Sequence, residues 1–131
     1  MKGLLHALFI YDNQNGMVMY RYLNKSFPSH HEDLVVNFLR AIDTFSSQYS
    51  GKGADIFQTE TIRIIFERSL EFNFTFACST NLTEPIKKDK ELLETIKYAF
   101  IHRHWEIFTT DKRTKISPRD KNAFDRLIES I

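Results

Sequence analysis

The chain has 131 residues, a length that suits one domain. It is 42% hydrophobic and 14% aromatic, with 12 Phe against 4 Gly and 3 Pro, which excludes a disordered or low-complexity chain and allows a core without disulfide or metal staples. Eighteen Lys+Arg against 17 Asp+Glu leave a formal charge of +1, which excludes the electrostatic footprint of a nucleic-acid binder.

The first apolar stretch, Leu4-Leu5-His6-Ala7-Leu8-Phe9-Ile10-Tyr11, follows Lys2 and invites a signal-peptide reading. It is interrupted by His6, runs directly into Asp12 and Asn13, and lacks a small-residue cleavage site. Apolar residues at both parities instead indicate a strand buried on both faces. Asp12 to Gly16 is a cluster of turn formers, and Met17 to Leu23 resumes as a strand, so residues 4–23 form a β-hairpin. Ser29-His30-His31-Glu32 has the form of a capping box. Val35, Phe38, Leu39, Ile42, Phe45 and Tyr49 then recur at helical spacing, opposite Asp33, Asn37, Arg40, Asp43 and Ser47. Gly51-Lys52-Gly53 ends that helix.

Strands return after Ala54. Ile62-Arg63-Ile64-Ile65-Phe66 is rich in β-branched residues, and Glu67-Arg68-Ser69 reads as a turn. Leu70, Phe72, Phe74, Phe76 and Cys78 alternate with polar or small residues through Ser79. Asp55 to Glu60 is either a separate short strand or the start of the next one. Beyond a loop at Asn81 to Pro85, Leu92, Leu93, Ile96, Ala99, Phe100 and Ile107 predict one long amphipathic helix with a solvated entry at Lys88-Asp89-Lys90-Glu91. Ser117-Pro118 opens the last helix, with a stripe at Ala123, Phe124, Leu127, Ile128 and Ile131.

This order, ββα, then two or three strands, then αα, resembles the longin fold. Leu5 to Tyr11, Gly16 to Tyr20, Leu70 to Ala77, and Leu92-Leu93-Glu94-Thr95-Ile96 carry the resemblance across nearly the whole chain. The related roadblock fold usually carries a helix before its first strand, for which residues 1–3 leave no room. The resemblance implies an α+β domain spanning residues 1–131, with a five-stranded antiparallel sheet between one helix and two C-terminal helices. It also implies a non-catalytic, cytoplasmic protein-binding module. Its partners would be a small GTPase, a membrane-trafficking protein or another longin/roadblock protein, in a homo- or heterodimer, with no cofactor.

Candidate chemistry is sparse. His102 and His104 point to nearly opposite sides of a helix and cannot chelate together. His30 and His31 suit solvated capping positions better than a metal site. His6 in a buried strand reads as a core histidine with a hydrogen-bonded ring. Cys78, the single cysteine, has no disulfide partner within the chain, fits a reducing compartment and falls on the inward parity of its strand. Asp12 to Gly16 lacks the alternating acids of a calcium loop, and Gly51-Lys52-Gly53 lacks phosphate-loop spacing. Asn81-Leu82-Thr83 has glycosylation form, which carries no meaning without a secretion signal. Lys112-Arg113-Thr114-Lys115 is a small basic patch suited to peripheral contact with anionic lipid, though Asp111 dilutes it. No run approaches a membrane span of about 20 apolar residues.

The surface-prone aromatics point to protein interfaces. In the longin order the second strand lies at a sheet edge, where Met17, Met19, Tyr20 and Tyr22 would meet another chain, unless one parity merely covers the core. The first helix, bearing Arg40, would complete a dimer surface beside it. At the opposite edge Ile56 and Phe57 would accept an extended peptide. The alternative function is a small-molecule-sensing domain. A third and weaker reading, an enzyme, would use His6 or Cys78.

Overall fold

The computed structural model describes residues 5–24, 37–42, 44–45, 56–60, 63–69, 71–80, 82–109 and 115–130. The expectations for Ser29 to Glu32, Val35, Tyr49, residues 51–55 and residues 110–114 lie outside that set.

Five strands form one antiparallel sheet in the order β2-β1-β5-β4-β3. They are β1 (Leu5–Asp12), β2 (Val18–Leu23), β3 (Ile56–Gln58), β4 (Arg63–Ser69) and β5 (Phe74–Thr80). The helical residues 37–42 and 44–45 form α1, followed after β5 by α2 (Ile86–Arg103), α3 (Trp105–Thr109) and α4 (Pro118–Ser130). The central strand β5 and its neighbour β1 are those read from strict alternation and from apolar residues at both parities. Their register runs from Leu5 opposite Thr80 to Asp12 opposite Phe74.

Alternation along β1 divides the core in two. Leu8 and Ile10 face one side with Ile65, Phe74, Phe76 and Cys78, covered by Leu93, Ile96 and Phe100 of α2, Phe108 of α3 and Phe124 of α4. Ala7, Phe9 and Tyr11 face the other side with Ile64, Phe66 and Ala77, covered by Leu39 and Ile42 of α1. One helix on one face and the C-terminal helices on the other is the expected sandwich. Phe100 is the hub of the larger core, with ring centroids 5.3 Å from Phe124 and 5.8 Å from both Phe76 and Phe108. Fully burying each such side chain contributes about 1.5–3 kcal/mol.

Several local expectations are corrected. Glu67-Arg68-Ser69 is not a turn but the end of β4, and the reversal occurs at residues 71–73. Asn73 takes a left-handed φ of 60°, a conformation its short polar side chain tolerates, and its carbonyl accepts from the Asn13 N–H at 3.0 Å. Phe72 therefore leaves the strand and packs on Trp105 and Phe108. Ile56–Gln58 is a strand separate from β4, pairing Phe57 with Ile64. The long helix is interrupted at His104 (φ −117°, ψ 36°), which turns Phe108 back onto Phe72 and Phe74. Among the described residues of α1, Leu39 and Ile42 pack on the sheet. Phe38 and Phe45 are 51% and 66% exposed.

Asp89 is the largest departure from the solvated helix entry. It is buried, receives the Arg63 guanidinium at 2.9 Å and the Thr80 hydroxyl at 2.6 Å, and joins α2 to the ends of β4 and β5. His6 is half-buried rather than a core residue, because the β1–β5 register shifts between Leu5 and Ala7.

Candidate interaction surfaces

Both proposed edges are edges of the sheet, but the residues on them differ in availability. On β2, Met19 and Tyr20 are 3% and 2% exposed and belong to the core, so neither is free to meet another chain. A bulge causes this: Ile10 pairs with Tyr20 and Tyr11 with Val18, so Met19 is the extra residue and turns to the same side as Tyr20. Met17 and Tyr22 remain half-buried against that core. The backbone edge of β2 is also met by the chain itself. The Ile116 N–H donates to the Met19 carbonyl at 3.1 Å, bringing the segment before α4 alongside the strand.

Tyr20 is tied to α4 by more than packing. Its hydroxyl donates to Asp125 Oδ1 at 2.5 Å, while Lys121 Nζ donates to Asp125 Oδ2 at 2.8 Å and sits 5.8 Å from the Tyr20 ring centroid. Burial and the adjacent carboxylate together push the Tyr20 phenol well above its ordinary range, so it stays a donor. Ser117 caps α4 as expected, its Oγ accepting from the Asp120 N–H at 3.2 Å.

Between β2 and this segment lies a recess of about 600 Å³. Its apolar lining includes Met17, Val18 and Ile116. Its charged lining among the described residues is Arg21, Lys115 and Lys121, the last paired to Asp125 at 2.8 Å. Sequence reading placed Lys115 in a small basic patch and missed Ile116, Lys121 and Asp125, although Lys121 and Asp125 stand at the i,i+4 spacing of a helical ion pair.

At the opposite edge, β3 is three residues long and no strand pairs with its outer side among the described residues. Ile56 and Phe57 are half-buried, and Phe57 makes a T-shaped contact with Phe38 of α1 at 5.7 Å. Phe38 and Phe45, seven residues apart, extend the aromatic surface from β3 along the outer face of α1. Arg40 points elsewhere: its guanidinium lies against Gly16 in the β1–β2 turn, where a Cβ would fall inside contact distance. Gly16 has φ 74°, so the turn requires both the missing side chain and the left-handed backbone. Arg40 thus braces α1 on the hairpin, and the outer face of α1 is left to the two phenylalanines.

The residues considered for chemistry are dispersed. Cys78 is buried in the larger core, and burial, assisted by the nearby Asp89 charge, raises its thiol pKa far from that of a reactive thiolate. His102 is exposed whereas His104 is buried between Phe100 and Phe124, with burial lowering its pKa. Asp12 to Gly16 is a hairpin turn, with Asp12 Oδ1 accepting from the Gln14 N–H and Asn15 Oδ1 from the Met17 N–H, each at 2.8 Å. Among the described residues no group of three or more His, Cys, Asp or Glu is placed to hold a metal ion, and no helix is long and apolar enough to cross a membrane.

No protein-family model matches the sequence, and no curated protein matches it. Solved structures do resemble the fold. A chain from the mammalian SRP receptor structure superposes with a TM-score of 0.58 at 10% identity, covering 98% of this chain and 97% of that one. Myxococcus xanthus MglB superposes with a TM-score of 0.55 at 7% identity, covering 82% of each chain. At such identities the likeness is one of fold. The element order, the sheet topology and these two neighbours agree that the chain has a longin/roadblock-type fold.

Proposed function

We propose that this chain is a non-catalytic interaction module that pairs with a second copy, or with a related longin/roadblock chain, and serves as a docking platform for a small GTPase. The observation that carries the reading is the aromatic face of α1, Phe38 and Phe45, running into Phe57 beside the outer edge of β3. Exposed aromatics next to a strand whose outer side no described strand covers offer a partner both apolar area and backbone hydrogen bonds. The GTPase component draws on the longin resemblance of the sequence and on the fold shared with the SRP receptor chain and MglB. Work in membrane trafficking and a cytoplasmic location belong to the same reading.

Sedimentation of the purified chain, alone and mixed with small GTPases loaded with GDP or a non-hydrolysable GTP analogue, tests this. A dimer that becomes monomeric on Phe38→Glu or Phe45→Glu, and a GTPase that co-sediments with it, are expected. A strict monomer that binds none of the GTPases overturns it. The second reading, a small-molecule-sensing domain, draws on the recess at β2, whose volume falls in the range of ligand sites, roughly 300–1,000 Å³. A compound retained in native mass spectrometry would favour it.

A further inference from the structure

His104 stands where α2, α3 and α4 meet. Its N–H donates to the Phe100 carbonyl at 2.9 Å and closes α2, and its own carbonyl accepts from the Ile107 N–H at 3.0 Å as α3 begins. The backbone is therefore held from both sides. The imidazole packs 4.8 Å from the Phe100 ring and 6.1 Å from the Phe124 ring of α4, centroid to centroid. There Nε2 is buried and has no hydrogen-bond partner among the described residues. A neutral ring tolerates this packing better than a charged one. An imidazolium carries a charge and an N–H donor on each nitrogen, and the flanking phenylalanines offer it no acceptor atom.

The surrounding charges do not compensate. On α2 the adjacent Arg103 opposes a second positive charge. On α4 Asp120 favours one, but it is exposed, so solvent weakens its effect. The α3 helix contributes the exposed Glu106, and Lys121 and Asp125 farther along α4 are paired with each other at 2.8 Å. The helix that faces the ring is also more lightly held than α2. Of its 13 residues α4 buries Phe124 and Ile128, whereas α2 buries Asp89, Leu92, Leu93, Ile96 and Phe100. Phe124, one of those two anchors, is the residue that meets the imidazole. Elements with few buried side chains open at lower cost than the whole fold.

We infer that His104 is a proton-operated latch for α4: when its imidazole takes a proton, α4 undocks while the sheet and α2 keep their fold. Undocking gives the imidazolium access to water. It also releases the Ile116 N–H from the Met19 carbonyl and bares the outer margin of β2. The latch lies away from the α1–β3 surface, so it holds whether or not copies pair there. An undocked His104 titrates near the ordinary value of about 6.5, and the packed one below it. Opening is therefore independent of pH above about 6.5. As pH falls from there towards the packed value, it gains up to about tenfold per pH unit for one proton.

Amide hydrogen exchange of the full chain from pH about 7.5 to about 5, expressed relative to intrinsic rates, reads the latch residue by residue. Protection of the α4 amides and of Ile116 is expected to fall about tenfold across this range. Leu8, Ile10, Phe76 and Cys78, in β1 and β5, should keep theirs. His104→Leu should abolish the fall. His104→Gln, uncharged but polar, should do the same and serves if the leucine variant does not fold. Asp120→Asn, which removes the one charge favouring the imidazolium, should move the fall to lower pH. A fall that persists in the His104 variants, a fall shared by β1 and β5, or α4 protection unchanged with pH would each overturn the latch.

Discussion

Arg63 and Asp89 form an ion pair at 2.9 Å with side chains only 7% and 3% exposed, joining β4 to the first turn of α2. Arg63 also donates to the Glu84 carbonyl and to Gln58 Oε1, and Asp89 accepts from Thr80, so both partners are engaged beyond each other. Breaking such a pair from one side strands a buried charge. Asp89→Ala is expected to cost about 3–5 kcal/mol of stability, measured by urea unfolding. The double replacement Arg63→Met with Asp89→Leu should recover much of that loss. Recovery would show that the pair fixes the helix position more than it supplies net stability.

Gly16 and Arg40 make a second long-range tie, between the hairpin turn and α1. Gly16→Ala should lose about 1–2 kcal/mol for its left-handed backbone alone, with a further loss as the guanidinium is displaced. Adding Arg40→Ala should return the steric share and leave the backbone share. Denaturant midpoints of the two single variants and the double variant separate these.

Tyr20→Phe removes the hydroxyl donor to Asp125, whose charge Lys121 still balances. A loss of about 1.5 kcal/mol is expected for a hydrogen bond to a charged acceptor. A double-mutant cycle with Asp125→Asn should show the two residues to be coupled.

The buried His104 gives stability a pH dependence. Burial lowers its pKa below the ordinary value of about 6.5, Asp120 opposing and Arg103 reinforcing the shift. The folded state therefore binds fewer protons than the unfolded state between the two pKa values. His104 leaves stability unaffected above the unfolded value and reduces it as pH falls through about 6.5 towards the folded value. Thermal midpoints compared across this range should show the wild type losing stability relative to His104→Leu on the acid side. A constant difference between them would contradict this.

Cys78 should resist thiol reagents in the native state and react at the rate of opening, because it is both buried and kept protonated. Time courses at increasing urea check this. Prompt native labelling would revive a nucleophilic role.

The elements easiest to read were those whose burial is fixed by the chain's own period. Leu8 and Phe9 announce opposite faces of β1, Phe74 to Cys78 announce β5, and Ser117-Pro118 announces α4. The turn at 71–73 was hidden because Leu70 and Phe72 continue the alternation of β5 while Phe72 is used by α3 instead. Asp89 sits in a charged run that looks solvated, and only the β4–β5 register delivers Arg63 to it. Phe38 and Phe45 share helical spacing with Leu39 and Ile42. The width of the apolar arc does not reveal which part of it faces the sheet. The recess joins residues about a hundred positions apart, and no local pattern encodes that.

The bond from Ile116 to Met19 has a consequence for how copies of this chain can add together. A sheet open at both margins can recruit neighbours without end, the route to fibres. Here one margin is already engaged by the chain's own approach to α4, and the other is a strand of three residues. If copies pair at β3 as proposed, growth through the sheet would be hindered at β2, where Ile116 already occupies the Met19 carbonyl. The stoichiometry of such an assembly would then be limited by the engaged margin as much as by the margin used for pairing.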